Sequence, residues 1–429
     1  TTEIYTLSLH DALPIFTLTL AARNQLLESM TDEVAGLVLR DNYLQTQLMT
    51  LEQRNAPQLL DAHARLMDTL EKAGRLDRKV EHLPSVEQIA QRAAAGEGLT
   101  RPELAILLAY AKMALCDALV RSTLPDDPAV EADLISYFPT AMQARFGTAL
   151  KAHRLRREII STVLANEVVN RLGITFVQSL AERGGYGEAD VVRAWLVVRS
   201  ALDLRGFWQA VEDLDNRVPA EAQLELMEAS MAFASRAVGA VLANNPQAID
   251  IATVAADLKM QFAGMNAQLD KLLPEEGNRL LAQLALKWTS VGVTNTLSHQ
   301  AAKFGWLASG PDIVQIAAAT KASTEQAAEV FFAVGSRFRL DALRRSAETA
   351  KAQNYWQRQM ALSLIDELYN EQRQLALKIL STQSNLEKFV ADNADAVSRI
   401  DQLMTEVQSA RSFDLAMLAM VSRSLRSLG

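Results

Sequence analysis

Five histidines, one cysteine and 51 acidic side chains are the groups in this 429-residue sequence that could do acid–base, nucleophilic or metal chemistry. His63, His82, His153 and His299 lie far apart, and none has a second His four residues on, so no two imidazoles share one helix face. Glu-x-x-His, the carboxylate signature of metal sites inside four-helix bundles, does not occur. Asp61 stands two residues before His63, but residues i and i+2 face apart on a helix. Each histidine therefore reads as a surface or helix-end residue placed over free carbonyls. Cys116 sits in Ala114-Leu115-Cys116-Asp117, where a thiol acts as a small hydrophobe and the neighbouring carboxylate disfavours a thiolate. A single cysteine rules out an intrachain disulfide and a zinc site built from several thiolates. These residues assign no catalytic, cofactor-binding or metal-binding position.

Phosphate chemistry is no better supported. Gly96-Glu97-Gly98 has Arg101 where a dinucleotide fingerprint needs its third glycine, and Gly185-Tyr186-Gly187 also lacks one. That glycine serves close helix–strand packing, and no strand is expected here. Both read as loops between helices. The basic run Lys151 to Arg157 is expected to be a solvated helix face with a local Arg154–Glu158 pair, and Asp341–Arg345 to be a second i,i+4 pair. Trp195, Trp208, Trp288, Trp306 and Trp356 do not interleave with a basic stripe and are expected to anchor helices in the core.

The elements around these residues are helical. Ser85-Val86-Glu87-Gln88, Thr100-Arg101-Pro102-Glu103 and Ser323-Thr324-Glu325-Gln326 are capping boxes. After the second, Leu104, Leu107, Leu108, Ala111, Leu115 and Leu119 form an apolar stripe at helical spacing, stopped by Pro125 and Pro128. Asn245-Pro246 and Gly310-Pro311-Asp312 read as further helix starts, and a last helical stretch runs from Phe413 to Leu428. Only 18 glycines and 11 prolines interrupt a chain that is 49% apolar, with mean hydropathy +0.01. Runs of alternating β-branched residues are missing. The expectation is an all-α, multi-helix bundle-like array with no significant sheet.

Four stretches are expected. Residues 1–16 are set apart as an artefactual or disordered tail, because Thr1 to Ile15 resembles the conceptual translation of a common sequencing adaptor. Residues 17–58 form a long helical segment with Met30, Val34, Leu37, Val38 and Tyr43 on its buried side. Helical domains over 59–245 and 246–429 follow. The net charge of −8 argues against a nucleic-acid partner, which needs a basic face. The most apolar stretches are interrupted by Lys112, Arg236 and Lys287, so no membrane span is expected. Without an export signal, and with a lone thiol, the expected compartment is the cytoplasm.

At Met30-Thr31-Asp32-Glu33-Val34-Ala35-Gly36-Leu37-Val38-Leu39-Arg40-Asp41-Asn42-Tyr43 the chain resembles the large bacterial NAD-specific glutamate dehydrogenases. The likeness continues through Leu99-Thr100-Arg101-Pro102-Glu103-Leu104-Ala105, Ala109-Tyr110-Ala111-Lys112 and His153-Arg154-Leu155-Arg156-Arg157-Glu158-Ile159-Ile160. It returns at Ala165-Asn166-Glu167-Val168-Val169-Asn170-Arg171, Gly173-Ile174-Thr175-Phe176 and Asp366-Glu367-Leu368-Tyr369, among others, and covers residues 17–429.

The resemblance implies the C-terminal helical region of such an enzyme. The family's glycine-rich substrate loop, catalytic lysine and nucleotide fingerprint have no counterparts here. NAD would be the parent's cofactor, with none bound by this fragment, which alone is expected to be inactive. Residues 17–58 would be the helix returning from the missing nucleotide-binding domain. Val34, Leu37, Val38 and Tyr43 would dock on the missing catalytic core of the same chain, and a homo-oligomer is expected of the parent. The competing reading is a free-standing helical scaffold or regulatory protein-binding module.

Overall fold

The structure, a computed structural model, describes residues 18–245, 249–349, 355–409 and 414–429. Among them it contains twenty-one α-helices, two short 3-10 turns and no strand. The chain is all-α, as the sparse breakers and helical stripes imply. Residues 1–17, which include the whole segment set apart as a tail, lie outside the described residues, as do Pro246 and Phe413.

Two compact units divide the chain. The first takes in residues up to Leu196, with Ala248–Ala252, and the second takes in Val197–Gln247 with Thr253–Gly429. The division falls at Leu196, inside a helix, and not at Asn245. Asn245 closes the helix Ala220–Asn244 as its C-cap, and the next described helix begins only at Ile251.

Unit 1 begins with α1 (Leu20–Arg54), a 35-residue helix whose N-cap Thr19 accepts from the Ala22 N–H at 3.3 Å. A single residue, Asn55, joins it to α2 (Ala56–Lys72), because Pro57 cannot continue a helical hydrogen-bond ladder but is tolerated in a first turn. Then come α3 (Val86–Ala95), α4 (Arg101–Arg121), α5 (Glu131–Ser136), α6 (Thr140–Lys151), α7 (Arg156–Leu172) and α8 (Phe176–Gly184), with α9 (Glu188–Ala201) crossing the division. The boxes at Ser85 and Thr100 form as expected. Ser85 Oγ accepts from the Gln88 N–H at 3.3 Å while Gln88 Oε1 accepts from the Ser85 N–H at 2.8 Å. Glu103 Oε2 accepts from the Thr100 N–H at 2.7 Å. The leucine stripe of α4 is buried against α7, whose Ile160, Leu164 and Val168 are buried in turn, and α1 lies across both.

Unit 2 holds α10 (Leu204–Glu212), α11 (Ala220–Asn244), α12 (Ile251–Leu272), α13 (Glu275–Thr289), α14 (Asn295–Leu307), α15 (Gly310–Thr320), α16 (Thr324–Arg337), α17 (Leu340–Thr349), α18 (Tyr355–Ser381), α19 (Leu386–Asp392), α20 (Ala394–Ser409) and α21 (Leu415–Arg426). Helix α11 packs on α14 and α15, which is why residues 220–244 belong with the C-terminal half. Helix α18 is the centre of the last core, where Leu368, Leu375 and Ile379 meet Phe338, Leu418 and Val421. Helix α11 is long and apolar enough to cross a membrane, but more than half of that apolar stretch is buried within the unit, and Arg236 within it pairs with Asp312.

A candidate site: the polar seam beneath the first helix

A set of polar groups in unit 1, several of them buried, lies where α1 rests on its neighbours. Glu52 occupies the last turn of α1, on the line of buried Leu48. The one-residue link brings α2 back beside it. Glu52 Oε2 then stands 3.0 Å from His63 Nε2, with the imidazole wholly buried and the carboxylate nearly so. Its second oxygen accepts from the Ile174 N–H at 2.8 Å. That N–H is free because α7 ends at Gly173, whose φ of 108° is a conformation that favours glycine. One carboxylate thus joins α1, α2 and the α7–α8 turn.

Other contacts continue along the helix. Arg171 Nη1 donates to Gln47 Oε1 at 3.3 Å, and Arg101 donates to the Thr46 carbonyl, Thr50 and Gln53, each at 3.3 Å. Near the middle, Asp41 Oδ2 accepts from Gln45 at 2.9 Å. Opposite Asp41, Lys112 of α4 is only 9% exposed and its ammonium has no hydrogen-bond partner. Burial pushes Lys112 down to about 8, with Asp41 pulling the other way. Towards the helix start, both Glu33 oxygens accept from the Thr140 N–H, at 2.9 and 3.0 Å, and Oε1 accepts from the Thr140 hydroxyl at 2.6 Å. Those bonds hold the Glu33 carboxyl below the usual carboxylate range.

The four residues expected to dock on a missing core are all half-buried on α1: Val34, Leu37, Val38 and Tyr43. The buried side of this helix differs from the expected one. Met30 is buried, but it is joined by Leu26, Leu48, Met49, Leu51 and Glu52. Leu37 follows Met30 by two turns and Glu33 by one, so it shares the face turned to unit 1. Val34 and Val38 fall on the flank with exposed Leu20 and Leu27. Tyr43 lies beneath the Arg40 guanidinium, 5.9 Å from the ring centre.

Several local expectations need correcting. His63 and His153 are buried, not superficial: His63 lies on the apolar stripe of α2, and His153, in the turn between α6 and α7, packs beside Phe138. His299 is exposed. Arg154 precedes α7 and is not on one helix with Glu158. Within that run Arg156 and Arg157 instead pair with Asp126, and Lys151 pairs with Glu131. Asp341 pairs with Arg344, one residue nearer than expected. Trp195, Trp208 and Trp288 are buried, but Trp356 is 74% exposed. Cys116 is half-buried, and burial raises its thiol, with Asp117 adding to the effect. Gly96 and Gly185 close α3 and α8 in left-handed conformations, so both glycine runs are inter-helix loops. Among the described residues no three His, Cys, Asp or Glu side chains form a metal-binding group.

In this geometry a buried carboxylate joins three helical elements to one another. Comparison with known proteins places the chain. The profile described as "Glutamate dehydrogenase, C-terminal" matches residues 96–427, and that described as "Bacterial NAD-glutamate dehydrogenase, catalytic domain" matches residues 5–52. The second match starts inside the stretch expected to be foreign and ends in α1 at Glu52. The chain belongs to the glutamate dehydrogenase C-terminal family.

Curated relatives agree. The NAD-specific glutamate dehydrogenase of Pseudomonas aeruginosa is 35% identical over 413 residues, covering 95% of this chain and 26% of that protein. That of Halomonas elongata is 31% identical over 425 residues, with 96% and 26% covered. That of Mycobacterium tuberculosis is 29% identical over 413 residues, with 95% and 25% covered. The chain spans about a quarter of the length of these relatives.

Proposed function

We propose that this chain is the C-terminal helical, non-catalytic portion of an NAD-dependent glutamate dehydrogenase. In the parent protein, L-glutamate, NAD and water would give 2-oxoglutarate, ammonium and NADH. NAD would be held by the parent's nucleotide-binding domain and would not touch this region. The observation that carries the reading is the division of the two profile matches. The C-terminal profile takes residues 96–427, and the catalytic-domain profile takes only residues 5–52. The polar seam supports it, since Glu33 and Glu52 there hold helices to one another through hydrogen bonds.

In this reading α1 returns from the catalytic domain onto unit 1; of the four residues expected to dock, Val34, Val38 and Tyr43 belong to the surface it shares with the catalytic core, while Leu37 lies on the face turned to unit 1. The parent would work as a homo-oligomer in the cytoplasm. The test is a spectrophotometric assay of the purified chain with glutamate and NAD. No glutamate-dependent reduction is expected, whereas fusion of the missing catalytic domain ahead of α1 should give it. Turnover by the chain alone would overturn the proposal.

A further inference from the structure

Among the described residues, helix α1 is the one element shared by the catalytic-domain profile and the body of unit 1. A helix that ends one residue before the next, at Asn55, has an obvious place to hinge. The contacts along it argue otherwise. Buried Leu26, Met30, Leu48 and Leu51 recur at helical spacing on one side. Asp41, opposite Lys112, and half-buried Leu37 fall on the same side between them.

Two carboxylates on that side reach into other elements. Helix α6 begins after Pro139, whose side chain offers it no cap. Its first N–H, on Thr140, goes instead to Glu33, so α1 supplies the cap that the local sequence lacks. The negative charge also meets the positive end of the α6 dipole. At the other end Glu52 does the same for the Ile174 N–H while holding His63. From Glu33 to Glu52 is about 28 Å along the helix axis, at 1.5 Å per residue.

We propose that α1 is a rigid strut pinned to unit 1 at both Glu33 and Glu52. Residues 20–52 then move as one body with unit 1, and Asn55 is not a hinge. Any displacement of a catalytic domain attached to α1 would reach α2, α6 and the α7–α8 turn without slack. The proposal rests on the reading above for what pulls on α1, but its own test does not require that reading.

Hydrogen exchange followed by mass spectrometry on the whole 429-residue chain decides it. In the unaltered protein the amides of residues 33–52 should exchange as slowly as those of α4 and α7. Glu33→Ala should speed exchange at least tenfold over the first turn of α6 and over the middle of α1 together. Glu33→Gln, which keeps an acceptor for the Thr140 N–H, should restore most of the protection. Glu52→Gln should speed exchange jointly in the last turns of α1 and at residues 174–178. If Glu52→Gln does not fold, the exposed Glu33 pair still decides. Exchange in α1 a hundredfold faster than in α4, or changes confined to the mutated contact, would overturn the strut. Glutamate turnover by the chain alone would sink the proposed function and leave this result standing.

Discussion

Replacing Glu52 by alanine removes the acceptor from a buried N–H and the partner from a buried imidazole in one step. Neither Ile174 N nor His63 can turn to water, because His63 is wholly buried and Glu52 is 3% exposed. Leaving a buried hydrogen-bonding group without its partner costs about 1–3 kcal/mol, so two such groups cost about 2–6 kcal/mol. Unit 1 is of a size for which each kcal/mol moves the midpoint by about 2–4 °C, so the drop should be about 4–24 °C. Glu52→Gln keeps an acceptor of the same shape and should cost less, about 1–2 kcal/mol. Replacing both Glu52 and His63 by leucine should recover much of the loss, since an apolar pair carries no desolvation penalty. Calorimetric unfolding of the chain and the three variants is the assay. A loss below about 1 kcal/mol for Glu52→Ala would refute the assignment of this carboxylate as a buried junction.

Other expectations follow from single residues. Lys112 releases its proton near 8 in the folded chain and near 10.5 unfolded, so the unfolded state holds more protons between those values. Stability should therefore rise with pH across that window, by at most about 3 kcal/mol, and Lys112→Met should abolish the rise and stabilise the chain at pH 7. Denaturant titrations across pH would expose a flat profile if this is wrong. Gly98→Ala would set a Cβ 2.2 Å from the Ala56 carbonyl carbon. It should cost about 1–3 kcal/mol, whereas Gly36→Ala, which meets open space in α1, should stabilise by about 0.5–1 kcal/mol. Equal midpoints for the two would contradict the close approach of Gly98 to α2. Cys116, with its thiol raised by burial, should react with maleimide well below the rate of a free thiol at pH 8. A rate matching free thiol would mean that the thiol is not half-buried.

Much of the helical architecture is legible because helix signals are local. The boxes at Ser85, Thr100 and Ser323 need only four adjacent residues, and all three form. The stripe from Leu104 to Leu119 needs only its own spacing, and it is buried throughout. His63 was legible in principle, since it falls between Leu60 and Met67 on the apolar stripe of α2. Its partner was not, because nothing in the sequence says that α2 folds back on Glu52. The cap that Glu33 gives to Thr140 crosses 107 residues, beyond any local pattern. Arg156 and Arg157 likewise found Asp126 some thirty residues away rather than a neighbour on their own helix. Polar groups on an apolar face announce burial, and the tertiary fold alone names what they meet.

The proposed function requires the chemistry to reside outside these residues. Calorimetric titration of the purified chain with NAD, in the presence of glutamate, probes that without relying on turnover. No saturable heat is expected. A saturable NAD isotherm of one site per chain would contradict the account.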